Sequence, residues 1–361
     1  MDTSKKSLYN FCLVSLLCAA VFYISIWSPS ITTNPLFHNS ACLPSSSNLT
    51  NTTGLVIDDL ELALQKASTP NRTVIIAVVN KAYVEQTLET DTTMLDIFLE
   101  SFWLGEGTRQ LLDHLLMVAI DQTAYDRCMF KRLHCYRLVT DGVDFEGEKV
   151  YMSQDFIKMM WRRTLFLLDV LKRGYSFIFT DTDVMWLRNP VRRLSNNESE
   201  DLQMSVDRYN GDPRSQDNSI NTGFYFVRSN NKTISLFTQW YGMKNNSTGK
   251  KEQDVLLELM RKDGLFKKLD LQVSFLPTLY FSGFCENSKD IRLVTTVHAN
   301  CCRHVHAKLQ DLKAVLRDWK RFKEVKLKNP TMLQNRTMVT QWSGHKACDN
   351  SWKPLSNNLR I

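Results

Sequence analysis

Apolar residues fall in short, dense runs separated by segments with helical spacing. Thr73-Val-Ile-Ile-Ala-Val-Val79 is an almost uninterrupted β-branched run, as a strand buried on both faces requires. Leu115 to Ile120 repeats that pattern and closes on Asp121. Tyr136 to Val139 predicts a short third strand and Tyr175 to Phe179 a central one. Between them, Leu60–Lys66, Met94–Trp103, Tyr125–Leu133 and Phe156–Lys172 read as helices. Leu95, Phe98, Leu99 and Phe102 share a face, as do Met160, Leu168 and Leu171; Gly174 is placed to cap the longest helix. Arg162, Arg163 and Lys172 are expected on that helix's solvated side. Further on, Ser205-Val206-Asp207 predicts a strand ending in a carboxylate, and Asn221-Thr222-Gly223 opens a strand at Phe224–Val227. Helices follow at Ile234–Tyr241 and Gln253–Met260, then a strand at Leu271–Leu276. Asp311–Phe322 carries Leu312, Val315, Leu316, Trp319 and Phe322 on one stripe. Strands alternating with helices predict an α/β sandwich with a largely parallel central sheet.

Upstream of the first strand the pattern changes. Leu8 to Trp27 is mainly apolar over about one membrane span. Lys5 and Lys6 precede it, and Ser28 to Pro35 follows without a positive charge. Positive-inside bias makes 1–7 a cytosolic tail and 8–27 a single N-terminal transmembrane signal-anchor, with the remainder in a lumen. A cleaved signal peptide is the rival, but the run is longer than a usual signal core and no clear small-x-small site follows. Residues 28–54, rich in Ser, Thr, Asn and Pro, are expected to form a flexible stem, with a lumenal domain over 55–361. Asn-x-Ser/Thr acceptors at Asn48, Asn51, Asn71, Asn197, Asn231, Asn245, Asn246 and Asn335 agree with a lumenal location.

Cysteine usage agrees too. Cys12 and Cys18 fall in the anchor, and Cys42, Cys128, Cys135, Cys285, Cys301, Cys302 and Cys348 beyond it, where disulfides persist. Cys128 with Cys135, and Cys285 with Cys301 or Cys302, are the expected pairs; the odd total leaves one thiol over. No Cys-x-x-Cys argues for zinc. The formal charge of +7 suits anionic ligands. Without zinc-finger spacing, an RNP-like segment or a long basic arm, nucleic-acid binding is not expected.

The chemistry concentrates at Asp181-Thr182-Asp183, where the central apolar run stops. Strand residues two apart point the same way, and the end of a parallel strand is where an open α/β sheet places its ligands. Two carboxylates there repel unless a cation sits between them, and a hard divalent ion carrying a diphosphate, Mn²⁺ or Mg²⁺, answers that need. The plain alternative is an acidic turn after a buried strand.

Several blocks together resemble a known family. They are Val74-Ile-Ile76 with Asn80-Lys81, Phe98-Leu-Glu-Ser-Phe102, Leu111 to Leu116, Gly174-Tyr175 with Phe179 to Trp186, Asn221-Thr-Gly-Phe224 and His298-Ala-Asn-Cys-Cys302. Spread in order over about 55–325, they look like the plant nucleotide-diphospho-sugar transferases, which include arabinosyl- and xylosyltransferases. The resemblance implies a GT-A-type, Rossmann-like fold behind a type II Golgi anchor. It implies a UDP-sugar donor, with arabinofuranose, xylose or galactose open, and a glycan or hydroxyproline-rich glycoprotein acceptor. It also implies transfer with retention; as no carboxylate nucleophile is obvious, same-face attack is expected. Asp181 and Asp183 become metal ligands, with His298 a third and His304 and His306 its rivals. Asn80 and Lys81 would contact the nucleotide, and Asn221, Thr222 and Gly223 the donor sugar or acceptor. Asp207 and Asp254 are candidates to contact sugar or receive the acceptor proton. Rival functions are a haloacid-dehalogenase-type phosphatase, which also sets Asp-x-Asp after a buried strand, and a non-catalytic sugar-binding or scaffold protein on the same fold.

Overall fold

The computed structural model describes residues 58–86, 91–140, 142–194, 199–328 and 342–353. The anchor, the stem, Cys12, Cys18, Cys42 and the acceptors Asn48, Asn51, Asn197 and Asn335 lie outside the described residues. Among the described residues no helix is long and apolar enough to cross a membrane.

The strands are β1 (Thr73–Val79), β2 (Leu115–Ala119), β3 (His134–Arg137), β4 (Ser176–Thr180), β5 (Val184–Trp186), β6 (Leu202–Arg208), β7 (Ser219–Val227), β8 (Val273–Phe275), β9 (Phe281–Gly283) and β10 (Thr296–His298). The main sheet runs β3-β2-β1-β4-β7-β6-β8. Neighbours are parallel from β3 to β4 and at β6–β8, whereas β7 is antiparallel to both β4 and β6. The sheet is therefore mixed and mostly parallel. From β1 the chain builds outward through β2 and β3, then returns to lay β4 on the other side of β1. That reversal opens a crevice at the strands' C-terminal ends, where Asn80 follows β1 and Asp181 follows β4.

Side-chain alternation along β1 supplies both cores. Val74 and Ile76 enter one with the Asp59–Ala67, Gln154–Lys172, Asn231–Gly242 and Glu252–Arg261 helices. Ile75, Ala77 and Val79 enter the other with the Met94–Leu104 and Val305–Lys328 helices. The Gln154–Lys172 helix starts where the Ser153 side chain accepts from Phe156 N, and it stops at Gly174, whose φ of +80° favours glycine. Helix and strand pairs at 122–137 begin a few residues earlier than the apolar pattern predicts: Asp121 caps the helix Gln122–Phe130, pulling its start upstream. Asn221-Thr222-Gly223 does not open a strand. It lies inside β7, which starts at Ser219.

A smaller sheet, β5-β10-β9, sits beside the crevice. Its antiparallel register sets His298 opposite Val184, and Ala299 N donates to Asp183 O at 3.0 Å. A residue more than a hundred positions away is thus brought to the Asp-x-Asp turn.

Disulfides join Cys128–Cys135, Cys285–Cys301 and Cys302–Cys348. The second settles the choice between Cys301 and Cys302. The third was not readable, because the polar segment around Cys348 gave no sign that it returns to the site. It closes a 46-residue separation. Chain-entropy arguments make such a closure worth about 4 kcal/mol. The double replacement Cys302→Ser/Cys348→Ser is expected to lower urea-unfolding stability by that order; an unchanged midpoint would show that the bridge does not constrain the unfolded chain.

Candidate active site

Asp181, Asp183 and His298 present ligand atoms that all lie within 4.8 Å of one another. The main-chain N–H of Asp181 donates to Gly223 O at 2.7 Å, pinning the end of β4 to β7. Asp183 is 2% exposed. Its Oδ2 is 2.7 Å from Lys308 Nζ, and its Oδ1 is 3.3 Å from His298 Nε2 but has no aligned hydrogen-bond donor. Asp181 Oδ2 is 4.0 Å from the same imidazole nitrogen. Burial raises the Asp181 carboxyl against the pull of Arg163, with Asp183 adding to the rise. Burial acts the same way on Asp183, but Lys308 and His298 outweigh it and hold that carboxyl well below the usual range. Burial lowers the His298 imidazole and Asp183 more than offsets it, so its affinity for a proton rises.

Two carboxylates and an imidazole suit a divalent ion such as Mn²⁺, and the unbonded buried Asp183 Oδ1 is a ready ligand atom. His304 and His306 are exposed and stand outside this group.

All three residues line one open cleft, together with Asn80, Asp207, Asn221, Thr222 and Gly223. Residues 110–312, more than half of the chain, match the nucleotide-diphospho-sugar transferase family. The chain belongs to that family.

Relatives of this transferase include an uncharacterized protein of Arabidopsis thaliana, 59% identical over 84% of this chain and 88% of its own length. A beta-arabinofuranosyltransferase of the same plant is 26% identical over 49% of this chain and 31% of its own. A UDP-D-xylose:L-fucose alpha-1,3-D-xylosyltransferase, also from Arabidopsis thaliana, is 25% identical over 34% of this chain and 31% of its own. Family membership removes the phosphatase reading.

The transferase site holds a buried cation that the sequence pattern was expected to expose. Arg163 is 5% exposed. It donates to Asp181 Oδ1 at 2.9 Å and to Glu252 Oε1 at 2.6 Å, with its guanidinium 4.7 Å from the Phe179 ring centroid. Spacing along the helix, rather than charge, decides where this side chain goes. Arg163 stands four residues before Leu167 and eight before Leu171, on the buried stripe. Glu252 carries the same signal, three and four residues before the buried Val255 and Leu256. Lys308 carries none: it is one of many lysines on a long basic helix.

Asn221 Nδ2 and Asn300 Nδ2 both donate to Asp207 Oδ1 at 2.8 Å, fixing that carboxylate at the cleft. Thr222 Oγ1 donates to Glu252 Oε1 at 2.9 Å, and Thr222 N donates to Gln253 Oε1 at 3.0 Å. Asn80 lines the cleft, but its amide donates to the carbonyls of Phe145 and Gly147 and so holds the loop before the Gln154–Lys172 helix. Lys81 is not among the cleft residues; its ammonium stands 3.8 Å from Glu85 and 3.9 Å from Glu146. Asp254 also lies off the cleft. Helical rotation gives that wall to its neighbours Glu252 and Gln253 instead.

Gly223 is required for a reason other than backbone freedom. A Cβ there would overlap His298 Cε1 and come within 2.9 Å of Asp181 Oδ2. The space is already filled by the side chains of His298 and Asp181. Gly223→Ala is therefore expected to weaken divalent-ion affinity and lower transfer by about a hundredfold, the scale reached when a catalytic constellation is displaced by about 1 Å. Ion titration by calorimetry alongside a transfer assay checks this; wild-type ion affinity in the variant would show that the site tolerates the methyl group.

Proposed function

We propose that this transferase moves a pentose or galactose from a UDP-sugar to a cell-wall glycan or glycoprotein, in a reaction dependent on Mn²⁺ or Mg²⁺ and with retention of configuration. The observation that carries the reading is the Asp181–Asp183–His298 group in an open cleft at the chain-reversal crevice. The pentose is favoured by the arabinofuranosyl and xylosyl activities in the relatives' names, and the second of those names gives fucose as the acceptor.

A divalent ion held by Asp181, Asp183 and His298 would neutralise the diphosphate as the sugar–oxygen bond breaks. The chain's own residues prepare the surroundings. Lys308 places a positive charge beside Asp183, where it would offset negative charge growing on a departing UDP. Arg163 holds Asp181 in place from within the protein. Asp207, fixed through one oxygen by Asn221 and Asn300, is positioned to receive the acceptor's proton with the other. Same-face attack is the proposed course.

A type II Golgi membrane location belongs to the same proposal. The apolar 8–27 stretch supports it, as do three disulfides, which persist in oxidising compartments.

The test is a donor screen with the purified protein, using UDP-arabinofuranose, UDP-xylose and UDP-galactose with and without Mn²⁺. One donor should release UDP in the presence of the ion and not after chelation. Release from none of the three, or release indifferent to chelation, would contradict the proposal.

A further inference from the structure

The Cys302–Cys348 bridge returns the chain to the active site after the long Val305–Lys328 helix. Just beyond Cys348, Trp352 lines the cleft. Its indole N–H donates to Cys301 O at 2.7 Å, yet the residue stays 50% exposed. The Tyr151 ring, also lining the cleft, stands 6.3 Å away and inclined by 70°. A cation attends each ring: Arg303 lies 5.2 Å from the Trp352 centroid and Lys251 5.2 Å from that of Tyr151.

A half-exposed tryptophan is ordinary in isolation. Here the ring is oriented by a hydrogen bond, tethered by a disulfide and set opposite a second ring at the mouth of a site. Such a surface offers an apolar face flanked by N–H donors, which matches a sugar ring: C–H groups on one face, hydroxyls around the edge. We infer that Tyr151 and Trp352 form the acceptor-sugar subsite of this transferase, with Arg303 and Lys251 donating to the sugar's hydroxyls.

The inference rests on the transferase reading above. It assigns the rings to the acceptor because of where they sit. The donor's diphosphate belongs with Asp183, His298 and Lys308, which are buried or half-buried. Among the described residues no hydrogen bond, ion pair or ring contact joins Tyr151 or Trp352 to those three. Trp352 and Arg303 lie instead on the exposed rim, from which a dissolved acceptor approaches a donor already in place. A nucleobase could also stack on such rings, so the test must separate the two.

The experiment measures steady-state kinetics of the full chain with its UDP-sugar donor and methyl fucoside as the acceptor probe, for wild type, Trp352→Ala, Trp352→Phe and Tyr151→Leu. Trp352→Ala should raise the acceptor KM about five- to tenfold, in line with the loss of one aromatic contact, while the donor KM shifts less than about twofold. Trp352→Phe should recover most of the loss, which a merely structural role of the strap would not require. A donor KM that rises in step would overturn the inference in favour of base stacking. So would an acceptor KM unchanged in both Trp352→Ala and Tyr151→Leu. Failure of the wild type to release UDP from any donor would contradict the transferase proposal, a result distinct from either.

Discussion

Asp183→Asn is expected to lower transfer by about a hundred- to a thousandfold, the range seen when a preorganised charge-stabilising group is removed. The substitution keeps the volume of a residue that is 2% exposed and leaves its carbonyl to accept from Ala299 N. What it removes is charge: a buried carboxylate with one oxygen on Lys308 and the other without a hydrogen bond, turned toward His298. The matched control is Asp254→Asn, which should stay within about twofold of wild type because that carboxylate does not line the cleft. Comparing initial rates of the two variants at saturating Mn²⁺ checks the pair. Equal rates would show that the cleft geometry does not govern the reaction.

Arg163→Met is expected to be the most destabilising single change in the site, by about 3–5 kcal/mol, because it removes the cation from a buried ion-pair network. Asp181 and Glu252 would then face one another's charge without it, and Glu252 Oε2 already has no hydrogen bond. Arg163→Lys should not restore the wild type, since a single ammonium cannot reproduce the guanidinium fork that reaches Asp181 through one nitrogen and Glu252 through the other. Urea unfolding of Arg163→Met, with and without Glu252→Gln, separates the mechanism from simple loss of packing. The second substitution should recover part of the stability by neutralising the abandoned carboxylate. Additive losses would show that the two residues are not coupled.

The legible parts of the chain were those governed by local pattern. β1, β2 and β4 announce themselves as dense apolar runs, and Asp181 and Asp183 stand out because they interrupt the last of these. The resemblance supplied His298, but the reason it reaches the aspartates is the β5–β10 register, a long-range pairing that no local pattern encodes. Arg163 and Glu252 were legible in principle: their spacing places them on buried faces, against the usual solvation of charged side chains. Trp352 and Cys348 were not legible, because their position depends on a disulfide closing across a polar segment. Lys81 and Asp254 stand just off the cleft wall, on the first turns of their helices. Their neighbours Asn80, Glu252 and Gln253 face the cleft in their stead.

Two aspartates and a histidine, joined by the meeting of two sheets, are the proposed seat of one divalent ion. Electron paramagnetic resonance of free Mn²⁺ during titration of the protein measures this without relying on turnover. Binding of one ion per chain in the wild type, lost or weakened at least about tenfold in each of Asp181→Asn, Asp183→Asn and His298→Ala, is the expected result. An affinity unchanged across all three variants would contradict the account.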